Sequence, residues 1–117
     1  MGRLSTHVLD TARGKPAAGV KIMLYRISGQ SHRKVKEVVT NADGRTDGPL
    51  LEGDALTAGV YELVFCAGDY LRASGQAGEA ILFLDEIPIR FGVPDASQHY
   101  HVPLLISPFG YSTYRGS

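Results

Sequence analysis

Cysteine and net charge are what this sequence lacks most plainly. Cys66 is the only cysteine, so the chain forms neither an internal disulfide nor a cluster of thiolate metal ligands. Its neighbours Phe65 and Ala67 are apolar, which predicts a buried small side chain and not a reactive thiol. Twelve basic residues balance twelve acidic ones, so the net charge gives no attraction to nucleic acid or to an anionic membrane.

Long apolar runs are missing as well. No stretch approaches the roughly 18 consecutive apolar residues of a membrane-spanning helix. Residues 1–7 lack the apolar region of a signal peptide, and the C-terminal Arg115-Gly116-Ser117 is not a peroxisomal address. Together these absences predict a cytoplasmic protein.

The length and the apolar content bound the architecture. A chain of 117 residues with 44% hydrophobic residues predicts one globular domain spanning residues 1–117. Short runs of alternating apolar and polar residues, separated by glycine- and proline-rich turns, predict an all-β sandwich. The expected strands are residues 4–10, 20–27, 32–40, 60–67, 80–84, 87–93, 100–107 and 110–115. One short helix is expected over residues 69–74, ended by glycines.

Two histidines flank Tyr100 near the start of one predicted strand. Residues two apart face the same side of a strand, so His99 and His101 are expected to point into the same space. Tyr100 and Val102 would then face the core. The pair is compatible with solvated surface residues, with hydrogen-bonded core residues, or with a site.

A zinc site is one interpretation of that pair. A third ligand from His7 or His32 would complete the three-histidine set found in catalytic zinc centres. The spacing permits this arrangement without being diagnostic of it. His32 lies beside Arg33 and Lys34, which favours a plain surface position.

His7 and Arg45 are further candidates for a functional site. His7 is expected to share one face of its strand with Ser5 and Leu9, opposite Leu4, Thr6 and Val8. Arg45 follows the turn-forming residues 41–44, and its guanidinium suits an anionic or carbonyl-rich ligand. A local ion pair of Arg45 with Asp43 or Asp47 is the alternative.

Chain termini usually fray unless the fold holds them. The C-terminal Tyr114-Arg115-Gly116-Ser117 is expected to be a terminus of the second kind, with its side chains or its terminal carboxylate held in place. A serine nucleophile, Ser112 or Ser117, is conceivable there. However, the sequence has no Gly-x-Ser-x-Gly motif to place one on a sharp turn.

Four separated stretches carry a resemblance to a known family. They are LSTHVLD at residues 4–10, GRTDG at 44–48, HYHVPLL at 99–105 and SPFGYSTYRGS at 107–117. With them the chain resembles the transthyretin-like family, and within it the hydrolases that act on 5-hydroxyisourate. The resemblance covers nearly the whole chain, and the Tyr-Arg-Gly-Ser end distinguishes these hydrolases from transthyretins.

The resemblance implies a two-sheet sandwich of about eight strands with one short helix after the fifth. It also implies a homotetramer, a dimer of dimers, whose central channel binds thyroid hormone in the carriers and forms the active sites in the hydrolases. A carrier of thyroid-hormone-like molecules is therefore the alternative function. It would not need paired histidines.

The resemblance further implies a cofactor-independent enzyme of urate degradation that produces 2-oxo-4-hydroxy-4-carboxy-5-ureidoimidazoline. His7, Arg45, His101 and Ser117 would be catalytic, and His99, Tyr114, Arg115 and Gly116 would bind substrate. Either His7 or His101 would take a proton from water, because histidine has a large neutral fraction near pH 7. Arg45 would stabilise the developing oxyanion.

Overall fold

The computed structural model describes residues 1–116, and within that range it contains two β-sheets and one short α-helix. The first half of the chain forms strands β1 (Arg3–Asp10), β2 (Lys15–Pro16), β3 (Lys21–Ser28), β4 (Ser31–Val39) and β5 (Leu51–Glu52). A 3-10 turn follows at Gly53–Ala55. The second half forms β6 (Gly59–Cys66), α1 (Ala67–Ala73), β7 (Glu86–Val93), β8 (His99–Ser107) and β9 (Gly110–Thr113).

The strands form a sandwich with strictly separated sheets. One sheet has the order β2-β1-β8-β9, with β5 also pairing with β1, and the other has the order β4-β3-β6-β7. The expected all-β, two-sheet sandwich is therefore confirmed. The structure has nine strands over residues 1–116, of which β2 and β5 are only two residues long, so the helix follows the sixth strand.

β1 and β8 pair in parallel, and this pairing brings distant parts of the chain together. All the other strand pairs within residues 1–116 are antiparallel, as in a typical sandwich. In the parallel register Arg3 lies opposite His99, Ser5 opposite His101 and His7 opposite Pro103. Since side chains alternate between faces, these residues share the outward face of the sheet.

The inward faces of both sheets form one apolar core. Leu4, Val8 and Leu104 of the first sheet and Leu24 and Phe65 of the second are fully or almost fully buried in a single cluster. A buried side chain of this size stabilises the fold by about 1.5–3 kcal/mol. Tyr100 and Val102 belong to the same cluster, as expected from the alternation.

Cys66 occupies the last position of β6 and is buried, as the sequence predicts. Burial, together with the negative charge of Glu86, raises the pKa of its thiol above the ordinary value. A thiol with a raised pKa is a poorer nucleophile at neutral pH, which agrees with a packing role.

One expected strand is wrong. Residues 80–84 form an irregular segment between α1 and β7, in which Ile81 and Phe83 are exposed and only Leu82 is buried. Apolar content made this segment resemble a strand, but it pairs with neither sheet. The other expected strands and the helix are present, with ends that differ by at most two residues. No helix described in residues 1–116 has the length and apolar character needed to span a membrane.

Candidate active site

The outward face of β1 forms the centre of a polar cleft. Arg3, Ser5 and His7 alternate along the strand with the buried Leu4, Thr6 and Val8. The apolar residues hold the strand against the core, and the polar residues are left facing outward. This alternation confirms that His7 and Ser5 share one face of the strand, as expected from the sequence, and adds Arg3 to the same face.

β8 supplies the two histidines beside it. His99 is exposed and His101 is half-buried, whereas Tyr100 between them is in the core. The parallel register places His101 next to Ser5, with His7 one step further along β1. His7, which lies near the beginning of the chain, and His101 are therefore close neighbours on one surface.

A tight turn brings Arg45 to the other side of β1. The side-chain oxygen of Asn41 accepts hydrogen bonds from the backbone N–H groups of Asp43 and Arg45, at 2.9 and 3.2 Å. Gly44 completes the turn with a φ of 73°, a conformation that favours glycine. Arg45 then forms an isolated antiparallel bridge with His7.

Gly44 is also required by its contact with β1. The amide of Val8 donates to the carbonyl of Gly44 at 2.8 Å. A Cβ atom at position 44 would lie 2.3 Å from the carbonyl oxygen of Val8. The turn can therefore approach β1 closely enough to place Arg45 only if this residue lacks a side chain.

These side chains surround an open cleft of about 320 Å³. Its lining residues are Arg3, Ser5, Arg45, His99, Tyr100 and His101. Two guanidinium groups face it, and none of the described lining residues is acidic. The cleft therefore suits a small, planar, carbonyl-rich or anionic molecule.

The ring of His101 is held on two sides. Its Nδ1 lies 2.9 Å from the hydroxyl oxygen of Ser5. Its Cδ2 edge faces Gly116, where a Cβ atom would approach Cδ2 to 2.6 Å. The amide of Gly116 also donates to the carbonyl of His101 at 2.7 Å. Among the ring nitrogens only Nε2 has no partner within residues 1–116.

The surroundings of His101 also shift its protonation. Burial lowers the pKa of the imidazole below the ordinary 6.5, and the positive charges of Arg45 and His7 lower it further. At pH 7 the ring is therefore neutral. A neutral imidazole with one free nitrogen is able to accept a proton.

His7 is oriented by the turn that carries Arg45. Its Nε2–H donates to the carbonyl oxygen of Asp43 at 2.9 Å. A carbonyl oxygen only accepts, so the proton belongs to Nε2 and, in the neutral ring, the lone pair to Nδ1. Each of the two histidines therefore uses one ring nitrogen to hold its position.

The C-terminal residues lie beside the cleft in different ways. Gly116 contacts His101 directly, whereas Tyr114 and Arg115 line a neighbouring depression between β7 and β9. The guanidinium of Arg115 lies 4.4 Å from the centre of the Tyr100 ring. It also donates to the side chain of Gln98 and to the carbonyl of His99. Ser117, a predicted catalytic residue, lies outside the described residues.

The structure bears on three interpretations that the sequence left open: the ion pair of Arg45, the zinc site and the surface position of His32. Within residues 1–116 no carboxylate lies within 4 Å of the Arg45 guanidinium, so the ion pair with Asp43 or Asp47 is not formed; Asp47 accepts from Asn41 instead. No group of three or more His, Cys, Asp or Glu side chains in this range is arranged to hold a metal. His32 is exposed on the other sheet, next to Tyr25 and Arg90.

Sequence reasoning missed Arg3 and Ser5 as site residues. The signal that could have found them is their spacing, since both occupy the same face of β1 as His7. Serine and arginine are common surface residues, so this spacing alone gave no reason to select them before the neighbouring strand was known.

Two packed sheets with a histidine- and arginine-lined cleft on the outer face define a small β-sandwich protein with a ligand-sized polar site. Comparison with known families matches residues 4–116 to the HIUase/Transthyretin family. The chain belongs to this family.

The similar proteins include a hydrolase, a synthase and a transthyretin. A 5-hydroxyisourate hydrolase from Mesorhizobium japonicum is 64% identical over 116 residues, which is 99% of this chain and 93% of the relative. A crystal structure of (S)-allantoin synthase has a TM-score of 0.93 and 48% identity, and covers 99% of this chain; this chain spans only 44% of that one. Sea bream transthyretin in complex with thyroxine has a TM-score of 0.86 and 27% identity, over 97% of this chain and 94% of the transthyretin.

Proposed function

We propose that this protein hydrolyses 5-hydroxyisourate to 2-oxo-4-hydroxy-4-carboxy-5-ureidoimidazoline, a step of urate degradation. The observation that carries the proposal is that Arg45 and His101 line one cleft without acidic residues, and that His7, bridged to Arg45, lies beside them on the same outward face of β1. The close relative from Mesorhizobium japonicum, similar over almost its whole length, supports the choice of substrate. The reaction needs no cofactor in this proposal.

The chemistry is the attack of water on a ring carbonyl carbon. As the new C–O bond forms, one imidazole takes a proton from the water, and the carbonyl oxygen becomes an oxyanion. When the oxyanion collapses, the C–N bond of the cyclic amide breaks, and the leaving nitrogen receives the proton that the first imidazole took from the water. That imidazole thereby returns to its neutral form, while the other polarises the substrate carbonyl. General acid–base catalysis of this kind contributes about 10²–10⁴-fold.

Arg45 stabilises the oxyanion and orients the substrate carbonyls. Its guanidinium is always charged and offers several donors, and no carboxylate among residues 1–116 neutralises it. The loss of one such donor typically reduces the rate by about 10²–10³. In this proposal His99, Tyr114, Arg115 and Gly116 bind the substrate, and Ser117 orients the water or the substrate.

The proposal includes a homotetramer, a dimer of dimers, with the sites at subunit interfaces. Two features of the single chain support self-association. β9 lies at one edge of the first sheet and β7 at one edge of the second, and β9 is exposed along its whole length. Phe83 and Phe109 form an exposed apolar patch in which their rings are 6.1 Å apart, and Ile81, two residues before Phe83, is exposed as well. Such patches mark interaction surfaces.

A carrier of thyroid-hormone-like molecules is the second candidate. It is favoured by the likeness of the fold to transthyretin in complex with thyroxine. A hydrophobic ligand would, however, gain little from two guanidinium groups and two histidines. Titration with thyroxine separates the candidates, since the hydrolase proposal expects no saturable binding at micromolar concentrations.

The decisive experiment follows the decay of freshly generated 5-hydroxyisourate by ultraviolet absorbance. Wild-type protein treated with a strong chelator is expected to retain its full activity, because neither the base nor the oxyanion stabiliser is a metal. His7→Ala, Arg45→Ala and His101→Ala should each slow turnover by at least about tenfold. His32→Ala, on the other sheet, is the matched control and should leave turnover unchanged.

The outcomes separate the parts of the proposal. No catalysed decay by the wild type would refute the hydrolase function. Loss of activity on chelation would favour the zinc interpretation with His7, His99 and His101. Full activity in all three alanine variants would refute the site. The single domain over residues 1–117 and the cytoplasmic location stay predictions from the sequence.

A further inference from the structure

Ser5 occupies a position in the cleft that the reaction described above does not use. It lies at the centre of the outward face of β1, directly opposite His101 in the parallel register. Its hydroxyl oxygen is 2.9 Å from Nδ1 of His101, and this is its only side-chain hydrogen bond within residues 1–116. Ser5 is half-buried, so the contact is partly shielded from competing water.

The arrangement around His101 leaves a choice between two tautomers. A serine hydroxyl can donate to a bare Nδ1 or accept from a protonated one. If the hydroxyl accepts, the Nδ1–H is used and Nε2 carries the lone pair. If the hydroxyl donates, Nε2 carries the proton and the neutral ring has no base to offer to the cleft.

The packing of the ring determines what this choice controls. Nδ1 faces Ser5, and the Cδ2 edge is covered by Gly116 with no space for a Cβ atom. Rotation of the ring by 180° about the Cβ–Cγ bond would swap the positions of Nδ1 and Cδ2, so Nδ1 would lose Ser5 and face Gly116 instead. Only the Nε2 end remains open, so the tautomer alone decides whether that end accepts or donates a proton.

We propose that Ser5 is a positioning residue for the hydrolysis: its hydroxyl accepts the Nδ1–H of His101 and leaves the Nε2 lone pair directed into the cleft. This inference rests on the proposed function. The nearby guanidinium of Arg45, which has only donors, favours a lone pair over a second N–H in the cleft. Ser5 does not react itself; it holds His101 in the form that takes the proton from water.

The first test reads the tautomer directly and needs no substrate. Protein labelled with ¹⁵N-histidine is examined by long-range ¹H–¹⁵N correlation above the ordinary histidine pKa of 6.5. The signals of His101 are assigned by their loss in His101→Gln. The expected result is a protonated Nδ1 and an unprotonated Nε2. The opposite pattern in the wild type would overturn the proposal.

The second test compares Ser5→Ala with Ser5→Thr. Alanine removes the acceptor, so the two tautomers of His101 mix and kcat should fall by about tenfold with KM unchanged. Threonine keeps the hydroxyl and should restore most of kcat and the wild-type nitrogen pattern. Ser31→Ala, an exposed serine at the start of β4, is the matched control and should behave as the wild type.

The outcomes are distinct from those of the proposed function. If wild-type protein does not hydrolyse 5-hydroxyisourate, the function fails, whereas the nitrogen spectrum still reports the tautomer. Wild-type kcat in Ser5→Ala overturns the positioning role. So does a loss of activity in Ser5→Ala that is confined to KM, since it would place the hydroxyl on the substrate and not on His101.

Discussion

His101 combines three influences that act on its protonation in the same direction. It is half-buried, and Arg45 and His7 add positive charge to its surroundings. Each of these disfavours the imidazolium form. The consequence for an enzyme that uses a neutral imidazole is a working range that extends to lower pH than that of a free histidine.

The pH dependence can be measured on His101 itself. Its pKa, followed by the Cε1–H resonance, is expected below 6.5, and Arg45→Gln should raise it by removing a positive charge. Since the neutral form is the active one, kcat/KM should decline as the pH falls through this lowered pKa. Arg33→Gln, on the outer strand of the other sheet, should leave it unchanged. A wild-type pKa at or above 6.5 would contradict the electrostatic account.

Gly116 gives a second prediction at the scale of single residues. Gly116→Ala places a Cβ atom 2.6 Å from Cδ2 of His101, so the ring or the C-terminal segment must shift. We expect kcat/KM to fall by about tenfold or more while the melting temperature changes little, because position 116 is only partly buried and lies outside the apolar core. Gly78→Ala, where nothing lies within 4 Å, is the matched control. Normal activity of Gly116→Ala would show that the contact is not needed.

At this scale the sequence predicted orientations but not contacts. The alternation around His7 and His101 indicated which way each side chain points, and the structure confirms it. The hydrogen bond between Ser5 and His101 joins residues 96 positions apart. The alternation of residues along one strand gives no information on which distant residue lies beside it. The role of Ser5 is therefore visible only once β8 is placed beside β1.

α1 is fastened to β1 through a buried carboxylate. Asp10, at the end of β1, is only 1% exposed. Its carboxylate accepts hydrogen bonds from the hydroxyl of Tyr70 at 2.6 Å, from the side chain of Gln76 at 2.8 Å and from the backbone of Arg13 at 2.9 Å. Burial acts to raise the pKa of Asp10, but these hydrogen bonds outweigh it and the pKa lies below the ordinary value. Burial, followed by the contact with Asp10, raises the pKa of Tyr70 to about 12.

Asp10→Asn tests this connection. The amide places a donor against the donors of Tyr70 and Gln76, so at pH 7 the free energy of unfolding should drop by about 2 kcal/mol. Because the pKa is lowered in the folded state, the stabilisation is present above the ordinary value of 3.8 and is lost as the pH falls through the folded pKa. The difference between wild type and variant should therefore shrink in acid.

Urea unfolding at several pH values measures that difference, and Asp54→Asn, an exposed carboxylate in the 3-10 turn, is the control. A difference that stayed constant down to pH 3 would exclude the charged form as the source of the stabilisation. The network also explains why α1, the helix expected at residues 69–74 and observed at Ala67–Ala73, is stable although its seven residues are too few to fold alone.

Strand positions were well predicted wherever apolar residues alternate, as in β1, β3 and β8. Residues 80–84 were not, because a short apolar run does not reveal whether a neighbouring strand exists to pair with it. Exposed Ile81 and Phe83 produce the same local signal as buried ones. The information that separates the two cases lies in the packing of the whole sandwich, or in a second chain.

At the scale of the whole molecule, the described residues include large apolar side chains that a monomeric protein rarely leaves exposed to solvent. Ile81, Phe83 and Phe109 are 90%, 74% and 73% exposed. Their position on loops next to the unpaired edge strands fits the proposed association of subunits.

The assembly can be tested by removing that surface. The double variant Phe83→Ser/Phe109→Ser is expected to shift the protein from tetramer toward smaller species in light scattering at micromolar concentration, since two large apolar anchors are lost. Val39→Ser, an exposed apolar residue on the far edge strand β4, is the matched control. A wild-type protein that runs as a monomer would contradict the proposed homotetramer.

The parallel contact between β1 and β8 has a consequence for biosynthesis. A ribosome that has released residue 10 must add almost a hundred more before the neighbouring strand exists. Such distant pairing is slow compared with the closure of hairpins. Turnover of substrate would thus serve as a sensitive reporter of maturation, because a molecule whose hairpins have formed without the pairing of β1 with β8 has no place where the chemistry can occur.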